Sequence, residues 1–293
     1  MILIVGATSK LGRALIPLLL AEGVPVRAMT RAPEKAEDLR NAGVEIVAGD
    51  LRDPASLAKA CAGAEKVLAA AHAFLGRGNN IPEKVDWAGN RHLIDAAKAA
   101  GVKHFVFTSA LGAGADHPVD FFRIKYQVEE YLRNSGLSYT ILRPAPFMEM
   151  WAELIGKPVV TGGKATIFGR GKTPVNFVSV EDLARFAKIA LEDPTASGQI
   201  ISIGGPENLT VEQVVEIFER VCGRRAKKSH VPLPLMRVMR LLTRPLNPAL
   251  SRQIAMGIFM DTADQAFDMS DTLKRYPLEL TRLEEVVRRR YGI

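Results

Sequence analysis

The sequence predicts an α/β protein built on a parallel sheet with helices on both faces. Three observations carry that expectation. Short apolar runs alternate with helix-period segments through the first half of the 293-residue chain. The first run, "MILIVGA", breaks at a glycine turn and feeds directly into a helical stretch. Hydrophobic residues make up 47% of the chain, enough to bury a sizeable core and to argue against disorder.

Each element follows in order. "LGRALIPLLLAEG" places Leu11, Ala14, Leu15, Leu18 and Leu19 at helical spacing, with Pro17 expected to kink the helix. "PVRAMTR" and "VEIVAGD" read as the second and third strands. In "RDPASLAKACAG", Asp53 caps a helix and Pro54 takes its first position. "KVLAAAHA" is a fourth strand, and a Gly/Asn-rich loop leads to a helix from about Glu83 to Ala100. "HFVFTSA" is a fifth strand, a helix spans about Val119 to Asn134, and "SYTILRP" is a sixth strand. Beyond Pro144, "GKPVVTGGKATIFGRGKTP" is rich in Pro and Gly and reads as loops with a hairpin. "VNFVSVEDLARFAKIALE" reads as a strand turning into a helix, and "GQIISIGG" as another strand. "LTVEQVVEIFERV" opens with Thr210 and Gln213 at capping-box spacing. From about Gly223 the tail reads as mostly helical. Residues 1–150 are expected to form the main domain, completed by strands from about 175–205. Residues 151–175 and 206–293 are expected to form a smaller α/β substrate region.

Composition narrows the function. The two cysteines, Cys61 and Cys222, give neither a disulfide framework nor a cysteine metal site, and a reducing cytoplasmic setting is expected. The first residues lack the pattern of a secretory leader, and no apolar run reaches membrane-spanning length. No metal cofactor is expected. The net charge of +7 is concentrated in Arg220–Met260, which holds nine Lys/Arg and no Asp or Glu. Elsewhere 30 basic residues face 32 acidic ones, so no nucleic-acid partner is expected from the overall charge.

"GATSKLG", comprising Gly6, Thr8, Ser9, Lys10, Leu11 and Gly12 with Ala7, follows the first strand and opens the first helix. A dinucleotide fold places its pyrophosphate there, where backbone N–H groups and a helix N-terminus meet anionic oxygens. Gly6 permits the tight turn and Gly12 the close helix–strand packing. Ser9 stands where a middle glycine is usual, either donating to a phosphate or holding the loop slightly away. At the end of the second strand, Thr30 and Arg31, with Lys35 a turn later, replace the carboxylate that an NAD site uses. A cation there suits a 2′-phosphate, so NADP(H) is expected in preference to NAD(H).

These motifs together resemble the NmrA-like, atypical short-chain dehydrogenase/reductase family. The matching stretches are "GATSKLGR", "TR" at 30–31, "GDLRDPASL", "AAKAAGVKHFVFTSALGA", Lys125 and "SGLSYTILRPAPFMEMW", with "FVSVEDLARFAKIAL" extending the likeness. The resemblance implies a Rossmann-type, doubly wound parallel sheet. It also implies that Asp50 and Leu51 flank an adenine, and that Ala70, Ala71 and His72 line the ribose and pyrophosphate side. Ser109 would lie near a nicotinamide, bordered by Pro144, Ala145 and Phe147.

Lys125 raises the mechanistic question. Typical short-chain dehydrogenases use a Tyr-x-x-x-Lys pair, and Phe121 holds the tyrosine's place here. Lys125 is therefore expected to anchor the ribose and polarise or protonate the substrate without a partner phenol, with Ser109 assisting. A reductase of a small carbonyl, quinone or enone is expected, its substrate flat and apolar. The alternative is a non-catalytic NADPH-binding sensor or assembly protein of the NmrA type. His117, ahead of the same helix, is a weaker candidate for the site. In the 220–260 segment, Arg237, Arg240 and Arg244 share one helix face, and Leu235, Val238, Met239 and Leu242 another. It reads first as a helix packed by its apolar side. Contact with anionic lipid, or a cover over the substrate cleft, are the other readings. The oligomeric state is left open.

Overall fold

The structure, a computed structural model, describes residues 1–292. The chain divides into two compact units. One comprises Met1–Arg143 with Leu183–Ile201, and the other Pro144–Asp182 with the chain from Ser202 onward.

In chain order the elements begin with β1 (Ile2–Val5), α1 (Lys10–Leu20), β2 (Val26–Thr30), α2 (Glu37–Asn41), β3 (Glu45–Ala48) and α3 (Pro54–Cys61). They continue with β4 (Lys66–Ala69), α4 (Asn90–Ala99), β5 (His104–Thr108), α5 (Asp120–Arg133) and β6 (Tyr139–Pro144). Next come α6 (Met148–Trp151), α7 (Lys157–Gly162), β7 (Lys164–Phe168), β8 (Val175–Asn176), α8 (Val180–Glu192) and β9 (Gln199–Ile203). The last are β10 (Asn208–Leu209), α9 (Val211–Cys222), β11 (Lys227–Val231), α10 (Leu233–Leu246), α11 (Pro248–Thr262), α12 (Ser270–Arg275) and α13 (Leu283–Tyr291).

The main sheet has seven strands in the order β3-β2-β1-β4-β5-β6-β9, and β1 to β6 pair in parallel. The order reverses between β1 and β4, so the chain winds outward in both directions from that pair. β1 is buried along its whole length, as a strand covered on both faces must be. Leu3, Val5, Leu57, Val67, Leu93, Phe105 and Phe107 centre the core of this unit. Asp53 caps α3 by accepting the Ala55 N–H, with Pro54 at the first position as expected. Pro17 falls inside α1, which runs on to Leu20 although the Arg13 carbonyl loses the N–H it would otherwise accept.

The structure departs from sequence expectation at four places. The helix expected from Glu83 begins as a π-helical turn, Glu83–Gly89, and is α-helical only from Asn90. Asn90 Nδ2 donates to the Asp86 carbonyl at 2.7 Å, and Asp86 is buried in line with Asn90, Leu93 and Ala97. No hairpin forms from "GGKATIFGR". Instead β7 pairs in parallel with β11, from Lys164↔Lys227 to Phe168↔Val231. The tail is thus not helical throughout, because a polar strand, "KKSHV", finds a partner more than sixty residues away that no local pattern reveals. β8, expected to complete the main sheet, pairs antiparallel with β10. Asn176 holds it there, accepting the Gly205 N–H at 2.7 Å and donating to Asn208 Oδ1 at 2.9 Å.

The fourth departure is α10. Its expected packed apolar side is open: Leu235, Val238, Met239, Leu241, Leu242 and Leu246 are exposed, and Met236 alone is fully buried. Elsewhere the second unit has a separate core of Met148, Val159, Val175, Phe177, Val214 and Phe218. The capping box at Thr210 and Gln213 is present. Among the described residues no helix is long and apolar enough to cross a membrane.

Candidate functional site

The carboxyl ends of β1 and β4 meet at the glycine bend. Gly6 has φ +96°, a conformation that side chains disfavour. A Cβ there would lie 2.8 Å from the Ala71 nitrogen and 2.9 Å from the Ala70 carbonyl carbon. At Gly12 a Cβ would lie 2.4 Å from the Ala7 carbonyl oxygen. Both glycines are therefore dictated by backbone approach. Ala70 N donates to Val5 O at 2.8 Å, tying the two strand ends together beneath the bend.

Ser9 is the N-cap of α1. Its Oγ accepts the Gly12 N–H at 3.1 Å, and its own N–H donates to Gly6 O at 2.9 Å. The residue that breaks the glycine pattern thus holds the bend, and its hydroxyl proton remains to donate outward. Thr8 and Lys10 are exposed beside it, while Leu11 is buried. The first turn of α1 contains no acidic residue to oppose an anion.

At the end of β2, Thr30 is buried and its Oγ1 accepts the Ala32 N–H at 3.2 Å. Arg31 is exposed, and its Nη1 donates to Asn80 Oδ1 at 2.9 Å. Lys35 ends a short 3-10 turn, also exposed. Asp50 is paired with Arg52 through Nε at 2.9 Å and a second guanidinium nitrogen. That contact holds the Asp50 carboxyl below the usual carboxylate range. Leu51 is buried against Gly89, where a Cβ would come within 2.7 Å of the Leu51 Cβ.

Lys125 is not a solvated lysine. It is 3% exposed, on the inward face of α5 with Phe122, Val128 and Leu132. Its Nζ donates to Thr108 O, at the end of β5, at 3.1 Å. The same Nζ lies 3.5 Å from Asp86 Oδ1, and Asp86 has no solvent exposure. Asp86 Oδ2 accepts the Ala73 N–H at 2.8 Å; Oδ1 has no hydrogen-bond partner and faces only the ammonium charge. The Phe107 and Phe121 ring centroids lie 5.0 and 5.5 Å from Nζ. Burial lowers the Lys125 pKa, opposed by Asp86 and then Glu129. A buried ion pair of this kind costs desolvation that its attraction hardly repays, which marks it as a candidate functional feature.

Phe121, in the place of a phenol, packs edge-on to Phe74 at 5.1 Å and His72 at 6.1 Å. The His72 ring reaches solvent yet lies amid protein atoms; burial, then the Lys125 charge, hold its pKa below the ordinary value. Ser109 is buried, and its hydroxyl donates to Glu129, which Arg143 also grips through Nε at 2.9 Å. A substrate role for that hydroxyl requires the Glu129 contact to break. His117 stacks on Phe122 at 4.0 Å, and its Nδ1 accepts the Val119 N–H at 3.0 Å. In the second unit, Pro144 ends β6, Ala145 N donates to Ile203 O at 2.7 Å, and Phe147 bridges to Val178.

Sequence reasoning missed Asp86, Arg52 and Asn80. Asp86 carried one signal, an acid between Val85 and Trp87 in a segment with inward-facing apolar residues. Arg52 and Asn80 sit in loops, where nothing local indicates which way they turn.

A doubly wound sheet with a glycine bend at its switch point and a buried lysine on the helix after β5 defines an atypical short-chain dehydrogenase/reductase. A model of the NmrA-like family matches residues 1–286, and the chain belongs to that family. A chloroplast protein of Arabidopsis thaliana, named for a high-chlorophyll-fluorescence phenotype, is 33% identical over 83% of this chain, a match spanning 61% of that protein. A photosystem II assembly factor of Synechocystis sp. is 30% identical over 99% of this chain and 90% of its own. An NAD(P)H azoreductase of Xenophilus azovorans is 33% identical over 76% of this chain and 74% of its own. Among solved structures, a Citrobacter sp. triphenylmethane reductase complexed with NADP(H) superposes with a TM-score of 0.79 at 25% identity, covering 98% of this chain and 99% of that one.

Proposed function

We propose that the protein is an NADP(H)-dependent reductase of a small, flat carbonyl, quinone or enone. The observation that carries this reading is the buried Lys125–Asp86 pair at the strand ends beside the glycine bend. Gly6 and Gly12 let the bend and the start of α1 pack directly on the neighbouring backbone, which leaves the first N–H groups of α1 free to meet a pyrophosphate. The azoreductase and the dye reductase, whose names state NAD(P)H or NADP(H), support the coenzyme class.

The coenzyme supplies the hydride when bound. The chain's own residues do the rest. Ser9 and the first N–H groups of α1 hold the pyrophosphate. Arg31, steadied by Asn80, meets the 2′-phosphate, with Lys35 adding charge. Asp50 and Leu51 flank the adenine, and Ala70, Ala71 and His72 line the ribose side. Lys125 directs one N–H to Thr108 O and one toward Asp86. Its third N–H is available to a ribose hydroxyl or substrate oxygen. Asp86 keeps the proton on Nζ against the pull of burial, and Lys125 donates it in the place of the missing phenol. Ser109 supports Glu129 rather than acting on substrate.

Phe121 favours one second reading. Without a phenol the same site can hold NADPH and report its presence to a partner without turnover, and the assembly-factor relative supports that class. One experiment separates the two. Purified protein is mixed with NADPH and a panel of quinones, azo dyes and enones, and absorbance at the nicotinamide band is followed. Turnover that falls at least a hundredfold in Lys125→Ala supports the reductase. Tight NADPH binding with no turnover on any acceptor supports the sensor. For the coenzyme preference, Arg31→Ala is expected to weaken NADPH at least tenfold while leaving NADH unchanged. Equal effects on both would remove the 2′-phosphate role.

A further inference from the structure

α10 carries two rows of side chains that nothing else in its unit covers. Leu235, Val238, Met239, Leu242 and Leu246 recur at spacings of three, four and seven, forming one stripe along the helix. All five are exposed, with Leu242 at 64% and Leu246 at 87%. Folding a monomer in water leaves single leucines outside, but rarely an aligned row of them. Arg237, Arg240 and Arg244 form the second row. None has an ion-pair partner among the described residues, and no acidic residue occurs between Arg220 and Met260 to supply one. Leu241, at 71% exposure, lies beside the arginines, four residues from Arg237 and three from Arg244. The arginines thus occupy the face opposite the apolar stripe, as on the polar side of an amphipathic helix.

We propose that α10 lies in the plane of an anionic bilayer surface, its leucines among acyl chains and its arginines among lipid phosphates. Charge decides the occupant: unpaired guanidinium groups want an extended negative surface, and a bilayer provides one. Side-chain type points the same way. The stripe is Leu, Val and Met, without the Trp and Tyr on which protein-interface hot spots centre. Length excludes a spanning role: 14 residues reach only about 21 Å, too short for the hydrocarbon core. The helix therefore rests on the surface, where stems of arginine bend back to the headgroups. Binding of this kind is independent of the coenzyme and holds whichever reading of the Lys125 site is correct.

The test is cosedimentation of the full chain with vesicles of phosphatidylcholine alone or mixed equally with phosphatidylglycerol, in 20 mM and 500 mM salt. Three arginines near a charged surface strengthen binding on the order of a hundredfold, so the expected result is pelleting with anionic vesicles at low salt and little with neutral ones. Substituting Arg237→Gln, Arg240→Gln and Arg244→Gln together is expected to remove most of the salt dependence. Substituting Leu241→Ser, Leu242→Ser and Leu246→Ser together is expected to lower binding at least tenfold, with the circular dichroism spectrum unchanged because these side chains are already in water. No pelleting at low salt overturns the proposal, as does pelleting that the leucine substitutions leave intact. A chain that ignores vesicles but forms dimers by sedimentation velocity, lost in the leucine variant, assigns the stripe to a second copy and overturns it equally.

Discussion

Asp86→Asn isolates one charge in the buried pair. The variant keeps the shape, and its remaining carbonyl oxygen still accepts the Ala73 N–H, so the change is electrostatic. At a separation of 3.5 Å, with an effective dielectric near 20, the lost attraction is about 5 kcal/mol. Lys125 can escape by giving up its proton, which at pH 7 costs about 5 kcal/mol against an ordinary lysine pKa near 10.4. The expected loss of folding stability is therefore roughly 3–5 kcal/mol at pH 7, the range for breaking a buried pair by removing one partner. The pH dependence has a definite sign. The folded Lys125 pKa is already depressed by burial, and Asp86 opposes that depression; without Asp86 it falls further. Between the folded and unfolded pKa values the unfolded chain binds more protons, so stability rises with pH. That window opens at lower pH in the variant. The stability gap between wild type and variant is thus expected to narrow with rising pH, by up to about 1.4 kcal/mol per pH unit. Urea unfolding of both proteins at pH 7, 8 and 9 measures it. A gap below 1 kcal/mol at pH 7, or one that stays constant to pH 9, would refute the pairing.

Two other substitutions probe the bend. Gly12→Ala drives a methyl to within 2.4 Å of the Ala7 carbonyl oxygen, and is expected to cost roughly 1–3 kcal/mol and to abolish coenzyme binding; calorimetric titration with NADPH checks it, and unaltered affinity would mean the bend is not the pyrophosphate cradle. Ser9→Ala removes the α1 cap and is expected to cost about 1 kcal/mol, read as a lower thermal midpoint. Ser9→Gly restores the usual glycine and is expected to lose only a few tenths of that, so equal losses in both would argue against capping.

The alternation of strands and helices through β6 was legible because each element states its own period. Asp53, Pro54, Thr210 and Gln213 announced their helix starts for the same reason: a cap bonds to residues two or three positions away. What escaped was non-local. β7 meets β11 across more than sixty residues, and neither strand's pattern names the other. Lys125 was recognisable from its spacing to Phe121, but the carboxylate that keeps it charged was not, because Asp86 sits on a different element and no local pattern pairs the two. Ser9 was visible as an exception to the glycine pattern, while its role needed the Gly12 N–H in place. The apolar stripe of α10 was read correctly as a stripe and wrongly as packed, since periodicity shows which residues share a face and not what covers it.

The second unit also bears on how this polypeptide emerges from the ribosome. Asp182 accepts the N–H and hydroxyl of Thr281 at 2.8 and 2.9 Å, from 99 residues further on, and Asn176 donates to Phe267 O. At about 5–20 residues per second, the early half of that unit waits roughly 5–20 s for its last contacts to be synthesised. For the first sixty-odd of those residues, until β11 is made, "KATIF" has no strand beside it, with Lys164 at its start as its only charge. A pause in translation before Lys227 leaves that edge unprotected, so yield in expression depends on the stretch between β7 and β11 more than its sparse motifs suggest.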